Sequence, residues 1–195
     1  IFVVYYSVTG PDGKFTLEYI SDIGKYKDVM LNSIWLGFIA TVISLVIAYP
    51  LAYIMARSSA NVQRTMMMLV MLPMWMNLLI RTYSLSNILE RNGIINTFLV
   101  SIGLEKVQLI NTAGAVILGM IYNFIPYMIL PIYSDLSKLD VRLLEASSDL
   151  GANGKTTLLR VILPLSMPGI VSGITMVFVP SVSTFYISQK LGGIH

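Results

Sequence analysis

The sequence predicts an all-α integral membrane protein. Of its 195 residues, 55% are apolar and only 12% are charged, which is about half the charged share of a soluble domain. Charged residues are absent from four windows, 29–56, 65–80, 107–134 and 161–189. Three of these windows exceed the roughly 20 apolar residues that a helix needs to cross a bilayer. A soluble bundle of fully buried helices is the disfavoured alternative.

Each window predicts one membrane-spanning helix, at 30–56, 65–82, 112–133 and 168–187. The second window is the shortest, and there the Arg81 side chain is expected to extend to the membrane interface. Prolines inside the apolar segments are expected to bend their helices, because each removes a backbone hydrogen bond. These are Pro50, Pro73, Pro126, Pro131 and Pro180.

The segments outside these windows are polar or short. The apolar start 1–6 is too short to span and is interpreted as the end of an earlier membrane helix, so the chain is expected to be cut at both ends. Residues 15–28 predict a short surface helix, and residues 84–111 a polar loop. The link 57–64 carries two Arg and no acid, which favours the cytoplasmic side of the membrane.

Composition disfavours several classes of function. The chain has no cysteine, so neither a disulfide framework nor a cysteine-ligated metal site is expected. A net charge of +3 is small and scattered, which does not indicate nucleic-acid binding. No acidic residue lies within any apolar window, so a proton relay through buried carboxylates is not supported. We predict no metal site and no catalytic residue.

A polar island, residues 134–167, separates the last two apolar segments. Asp140 is a plausible N-cap for a first helix and Gly151 its C-terminal stop. A second short helix is expected from Lys155 to Leu163, stopped by Pro164. Apolar residues at spacings of three and four predict one apolar face: Leu136, Leu139, Leu143, Ala146 and Leu150. An amphipathic hairpin on the membrane surface would show the same periodicity.

The run Gly154-Lys155-Thr156 invites a nucleotide-binding interpretation, which the surrounding residues do not support. A phosphate-binding loop requires its first glycine five residues before the second, and that position is Asp149. The loop should also follow a buried strand, whereas the preceding residues predict a helix. Asp149 is the last acid of the chain, so no later carboxylate could hold magnesium.

The island resembles the EAA loop of ABC-importer permeases. That pattern is Glu-Ala-Ala, three residues, Gly, nine residues, Ile, one residue and Leu-Pro. The spacing is kept here, with Ser147 in place of the second Ala and Val161 in place of the Ile. The resemblance implies a cytoplasmic loop that docks its short helix into a cleft of an ATPase subunit. The implied coupling residues are Glu145, Ala146, Ser147, Gly151, Leu163 and Pro164.

Further runs, at 48–53, 72–83, 139–146 and 185–188, resemble the first permease of spermidine/putrescine importers. The resemblance implies a type I ABC importer transmembrane domain, multi-pass in the plasma membrane of a bacterium. Its implied partners are two ATPase subunits, a second homologous permease, an extracytoplasmic substrate-binding protein and the lipid bilayer. ATP and magnesium would be bound by the ATPase, with no cofactor on this chain. The family has six membrane helices, so most of the first and all of the last would be missing.

A polyamine crossing helices that lack acids would depend on aromatic faces through cation–π contacts. The candidate residues of the translocation path are Trp75, Asn77, Tyr122, Tyr127, Phe185 and Tyr186. Packing or lipid-interface roles are the alternative for each aromatic residue. A type I permease for another small solute stays open, as do a secondary transporter and a membrane scaffold without a transport role.

Overall fold

The computed structural model describes residues 27–184 together with residues 187, 191 and 192. The predicted apolar start and most of the predicted surface helix lie outside these residues.

The chain divides into two compact units, residues 1–35 and 36–195. In the first unit only residues 27–35 are described, and they form the opening turns of a helix. The packing described below is that of the second unit.

The first apolar window forms one long helix, α1, Lys27–Arg57, which continues through Pro50. Small side chains recur along α1 at every fourth position and are fully buried. They are Ala40, Ser44, Ala48 and Ala52. A spacing of four keeps residues on one face of a helix, and small side chains let neighbouring membrane helices approach closely. The opposite face, with Val42, Ile43, Val46 and Ile47, is exposed.

The continuous helix predicted over 65–82 is wrong, because the chain breaks near its middle. Helix α2, Ala60–Met71, passes into a 3₁₀ turn, Leu72–Trp75, and helix α3, Leu78–Leu89, follows. Pro73 lies in the turn and cannot donate a helical hydrogen bond. Asn77 then starts the new helix, since its side chain accepts a 2.8 Å hydrogen bond from the backbone N–H of Leu79. The axis bends here by 95°.

The polar loop predicted over 84–111 is also wrong in part, since α3 continues to Leu89 and a further helix, α4, Ile94–Ser101, follows. The buried Asn96 holds α4 to the segment after it. Its side-chain amide donates to the backbone oxygens of Glu90 and Val107, at 3.2 and 2.9 Å, and its oxygen accepts from the Val107 N–H at 2.8 Å. Five of the eight residues of α4 are large and apolar, which favours a helix over the predicted polar loop.

Helix α5, Ala113–Ser137, begins at the N-cap Thr112 and continues through Pro126 and Pro131. Two short helices follow it: α6, Val141–Asp149, and α7, Gly154–Leu165, whose middle is a π-helical turn, Leu158–Ile162.

Helix α8, Met167–Ser183, has Pro168 in its first turn, as predicted, and packs closely along α5. Gly169 and Gly173 make this approach possible. A Cβ atom at Gly169 would lie 2.7 Å from the Pro131 carbonyl oxygen, and one at Gly173 2.8 Å from Met128 Sδ. The two glycines are four residues apart on one face, which is the spacing by which membrane helices bring their backbones together.

Two described helices are long and apolar enough to cross a membrane, Met30–Arg57 within α1 and the whole of α5. Two bent pairs meet the same criterion together. These are Ala60–Trp75 with Leu78–Ser101, and Gly154–Leu165 with Met167–Ser183, the latter bent by 66°. Four crossings result if each pair crosses once, and the assignment of the spans stays a prediction. Over the residues described, the fold is helical without strands, which confirms the all-α membrane class.

Gly169→Ala is expected to destabilise the protein, because the added methyl group meets a backbone oxygen that cannot rotate away. Overpacking of this kind costs about 1–3 kcal/mol. The measurement is the thermal unfolding midpoint of the purified protein in lipid nanodiscs.

The matched control is Gly114→Ala in the first turn of α5, where the nearest atom, Thr112 Oγ1, would lie 3.7 Å from the new Cβ. It should leave the midpoint unchanged or raise it slightly. Equal midpoints for the two variants would contradict the close approach of α8 to α5.

Candidate functional site

Helix α6 begins and ends where the sequence predicts. The Asp140 carboxylate accepts a 3.0 Å hydrogen bond from the Arg142 N–H. At the other end Gly151 has a φ of +76°, which glycine adopts without steric cost. The Ala152 N–H bonds to the Ser147 carbonyl at 3.0 Å and the Gly151 N–H to the Ser148 carbonyl at 2.9 Å. This pair of bonds is a Schellman motif, so the chain reverses sharply after α6.

The apolar face predicted for the island is not one buried face. Leu136 is buried, but it belongs to α5. On α6, Leu143 and Ala146 are exposed, and the side chain of Leu150 just after it is 89% exposed. The residues that turn inward are the half-buried Leu144 and the buried Ser147. The predicted face combined residues from both sides of the N-cap Asp140, whereas the break at residues 138–140 places Leu136 on one helix and Leu143 and Ala146 on the next.

Glu145 lies on the exposed side of α6, next to Ala146. The exposed residues of α6 therefore combine charged groups, among them the carboxylates of Glu145 and Asp149, with apolar surface. From these residues we define the α6 face as Leu143, Glu145, Ala146 and Leu150. Apolar side chains that remain exposed in a polar segment are typical of a surface that binds a partner.

The Gly-Lys-Thr run forms the first turn of α7. The Asn153 side chain caps this turn, accepting 2.8 Å hydrogen bonds from both the N–H and the hydroxyl of Thr156. The run follows the reversal after α6 and does not follow a strand. Its glycine and lysine are exposed residues of a capped helix.

Helix α7 ends later than predicted, at Leu165. Leu163 is half-buried and Pro164 exposed in its last turn. A proline inside a helix clashes with the carbonyl four residues before it, and here the π-helical turn Leu158–Ile162 precedes it. A widened turn relieves this crowding, which explains why the helix passes Pro164 before it bends at Ser166.

Two hydrogen bonds connect the base of the island to the first helices. Tyr49 of α1 and Ser166 at the bend are linked through their hydroxyl oxygens at 3.1 Å. The Tyr133 hydroxyl, near the end of α5, donates to the side-chain oxygen of Gln63 at 3.2 Å. The amide nitrogen of Gln63 bonds in turn to the Ser58 carbonyl at 2.9 Å. The two ends of the island, near Tyr133 and at Ser166, which we call its roots, are therefore hydrogen-bonded to residues of α1 and α2.

The four described residues of the predicted path lie on three different elements. Trp75 ends the 3₁₀ turn and is 84% exposed. Asn77 is the N-cap of α3. Tyr122 and Tyr127 lie on α5, where the ring of Tyr127 packs at an angle of 56° against Phe124. The 3₁₀ turn packs against α5. The predicted path residues Phe185 and Tyr186 lie outside the described residues.

A buried polar cluster between α3 and α5 was not predicted. Arg81 is only 4% exposed, so the expectation that it extends to the interface is wrong. Its guanidinium donates to the Asn123 carbonyl at 3.4 Å, and the Asn123 amide donates to Thr82 Oγ1 at 3.3 Å. Within the described part of the chain, Arg81 Nε and Asn123 Oδ1 have no hydrogen-bond partner. The sequence signal for this cluster was Asn123, an asparagine inside the apolar window 107–134.

Comparison with known proteins gives the family. Residues 48–195 match the family described as binding-protein-dependent transport system inner membrane component. The spermidine/putrescine transport system permease protein PotB of Haemophilus influenzae is 45% identical over 170 residues, which cover 86% of this chain and 59% of that protein. PotB of Escherichia coli is 40% identical over 170 residues, with 86% and 62% covered.

A third relative, the inner membrane ABC transporter permease protein YdcU of Escherichia coli, is 32% identical over 179 residues, which cover 85% of this chain and 57% of that protein. The chain thus spans about three fifths of the length of these relatives. With its all-α fold and apolar helices, it belongs to the family of binding-protein-dependent transport system inner membrane components, which are permease proteins of the bacterial plasma membrane.

Proposed function

We propose that the chain is the membrane-spanning permease subunit of an ATP-driven importer that takes up polyamines delivered by a binding protein. The α6 face carries this proposal, since it presents a carboxylate and apolar side chains on a short helix outside the apolar segments. The two PotB relatives, which are named as spermidine/putrescine permeases, support the substrate class.

In this proposal, residues 134–167 are the cytoplasmic loop that couples the permease to its ATPase. The α6 face inserts into a groove of the ATPase, as amphipathic helices do in many complexes. Leu143 and Leu150 would be buried by the partner, and Glu145 would pair with one of its basic groups. Leu163 and Pro164 would hold the second short helix at the angle that α8 requires.

The proposed assembly contains two ATPase subunits, a second homologous permease and an extracytoplasmic binding protein. ATP and magnesium are bound by the ATPase, and this chain supplies no cofactor site. ATP-driven closure of the ATPases would move α6, and the two roots of the island would pass this motion to α5 and α8. Alternating access needs only that the outward and inward packings differ by about a few kcal/mol.

For the substrate path we propose the exposed residues Trp75 and Tyr122, together with Asn77, Tyr127 and the aromatic residues 185 and 186. A cation over an aromatic face gains about 0.5–2 kcal/mol, so several such faces could pass a polyamine without binding it tightly. Arg81 is buried between α3 and α5, where its guanidinium donates to the Asn123 carbonyl, and it is not part of the proposed path. Selection of the substrate would then rest mainly with the binding protein.

A small solute other than a polyamine is the second candidate. The observation that favours it is the buried Arg81, because a cation in the membrane domain suits an anionic solute better than a polyamine.

Uptake distinguishes the two solute classes. Cells that lack their own polyamine uptake and express the complete transporter should accumulate labelled spermidine, and an excess of unlabelled putrescine should compete. Thiosulfate and amino acids should not compete. Uptake should also disappear when the ATPase is replaced by a variant that cannot hydrolyse ATP. Competition by an anion alone would replace the polyamine assignment, and uptake without an active ATPase would refute the importer proposal.

Glu145→Lys should reduce uptake by about tenfold or more, since the reversal of a charge that is buried in an interface costs about 2–5 kcal/mol. Co-purification of the ATPase with the permease should fall in parallel, while the amount of permease in the membrane stays unchanged. Glu105→Lys makes the same charge change on the segment before α5 and serves as the control. Normal uptake by the Glu145 variant would refute the docking role of α6.

Substitutions at Gly151 distinguish two reasons for a glycine at this position, which are backbone strain and contact with the partner. A non-glycine residue in the left-handed region costs about 1–2 kcal/mol, and asparagine tolerates it better than alanine does. Among the residues that the structure describes, apart from Gly151 and its two chain neighbours, no atom lies within 4 Å of the position a Cβ would take. Gly151→Ala should therefore slow uptake more than Gly151→Asn does, and Gly154→Ala, where φ is ordinary, should not slow it. The reverse order, with asparagine worse, would mean that the partner surface excludes side chains here.

A further inference from the structure

A pair of buried hydroxyl groups joins the two short helices of the island. Ser147 Oγ of α6 and Thr157 Oγ1 of α7 lie 2.9 Å apart, and each residue is only 8% exposed. The neighbouring side chains Glu145, Ala146 and Ser148 are exposed. The contact therefore lies on the buried side of α6, and the opposite side of this helix is exposed.

The direction of the bond follows from the count of hydrogens. A serine hydroxyl has one hydrogen and two lone pairs. Ser147 uses its hydrogen to donate to the Leu144 carbonyl at 2.9 Å. Thr157 must then be the donor and Ser147 Oγ the acceptor. Loss of Ser147 Oγ would force the buried Thr157 donor to turn to a carbonyl of its own helix, whereas loss of the Thr157 hydroxyl would leave only an unused lone pair.

The bond adds a constraint that the backbone alone does not supply. The Schellman motif at Gly151 fixes how α6 ends, and the Asn153 cap fixes how α7 begins. Residues 152–153 between them could still rotate one helix against the other. The hydroxyl bond lies one turn back from the reversal on each helix, where it opposes that rotation.

Ser147 also stands where the EAA pattern has alanine, which cannot accept a hydrogen bond. The threonine on α7 has a hydrogen-bond partner on α6 because of this departure. The chain therefore has a connection between its two loop helices that a sequence with alanine at this position could not form.

We propose that Ser147 and Thr157 are positioning residues that hold α6 at a fixed angle on α7, so that movement of the ATPase reaches α8 without being lost in the loop. The inference rests on the proposed coupling function, and it adds the specific contact that makes the loop stiff. Neither residue is proposed to touch the ATPase.

The test compares Ser147→Ala, Thr157→Val and the double variant in the complete transporter. The rate of amide hydrogen exchange in α6 reports whether the Ser147–Thr157 hydrogen bond holds the two helices together. This rate can be measured without a transport assay. Exchange should become about tenfold faster in Ser147→Ala, which deprives the buried Thr157 donor of its acceptor on α6, and about threefold faster in Thr157→Val. The double variant should match Thr157→Val. Spermidine transported per ATP hydrolysed should fall in the same order.

Two controls separate positioning from general stability. Ser148→Ala makes the same substitution one residue later and also removes a hydroxyl bonded to the Leu144 carbonyl, but on the exposed side. Thr157→Ser keeps the donor. Both should retain the exchange rate and the transport ratio of the wild type.

Unchanged exchange rates in Ser147→Ala and Thr157→Val would refute the proposal that the hydroxyl bond holds α6 on α7. Faster exchange with an unchanged amount of spermidine transported per ATP would refute a role of this bond in coupling. Failure of the proposed function itself looks different, because normal uptake by Glu145→Lys removes the docking role whatever the exchange rates are.

Discussion

The close approach of α8 to α5 is the constraint on which the rest of the second unit depends. Between membrane helices the hydrophobic effect contributes little, because lipid tails are as apolar as leucine, and packing must supply the attraction. Gly169 and Gly173 bring the α8 backbone within reach of Pro131 and Met128. Because α5 enters the island and α8 leaves it, this packing also sets the distance between the two roots of the loop.

The base of the island is held by hydrogen bonds as well as by packing. Ser166 at the bend is bonded to Tyr49, and Tyr133 at the other root is bonded to Gln63. A force on α6 would therefore act on a base in which hydrogen bonds and packing connect α1, α5 and α8. Motion would pass into the helices as a group, because the loop cannot swing freely at either root.

The fold class followed from the sequence, because windows without charge are a composition property that tertiary context does not alter. Local breaks were harder to predict. The window 65–80 has no charged residue, yet it breaks where Pro73 and Asn77 act together, and composition averages over such a pair. In the island, Asp140 and Gly151 marked the ends of α6 correctly, because capping is local chemistry. The inward face of α6 could not be predicted, since it depends on Thr157, which lies ten residues away.

The burial of Arg81 could not be predicted from the charge pattern of the sequence. A single arginine at the end of an apolar segment can extend to the interface, and its burial depends on the 95° bend between Trp75 and Leu78. Burial of a charge without an opposite charge costs several kcal/mol. Among the described residues, the hydrogen-bond partner of the Arg81 guanidinium is a neutral oxygen, the carbonyl of Asn123. Such a cost is retained where a charge has a function, and the position of Arg81 between α3 and α5 makes this contact sensitive to any motion that separates the two helices.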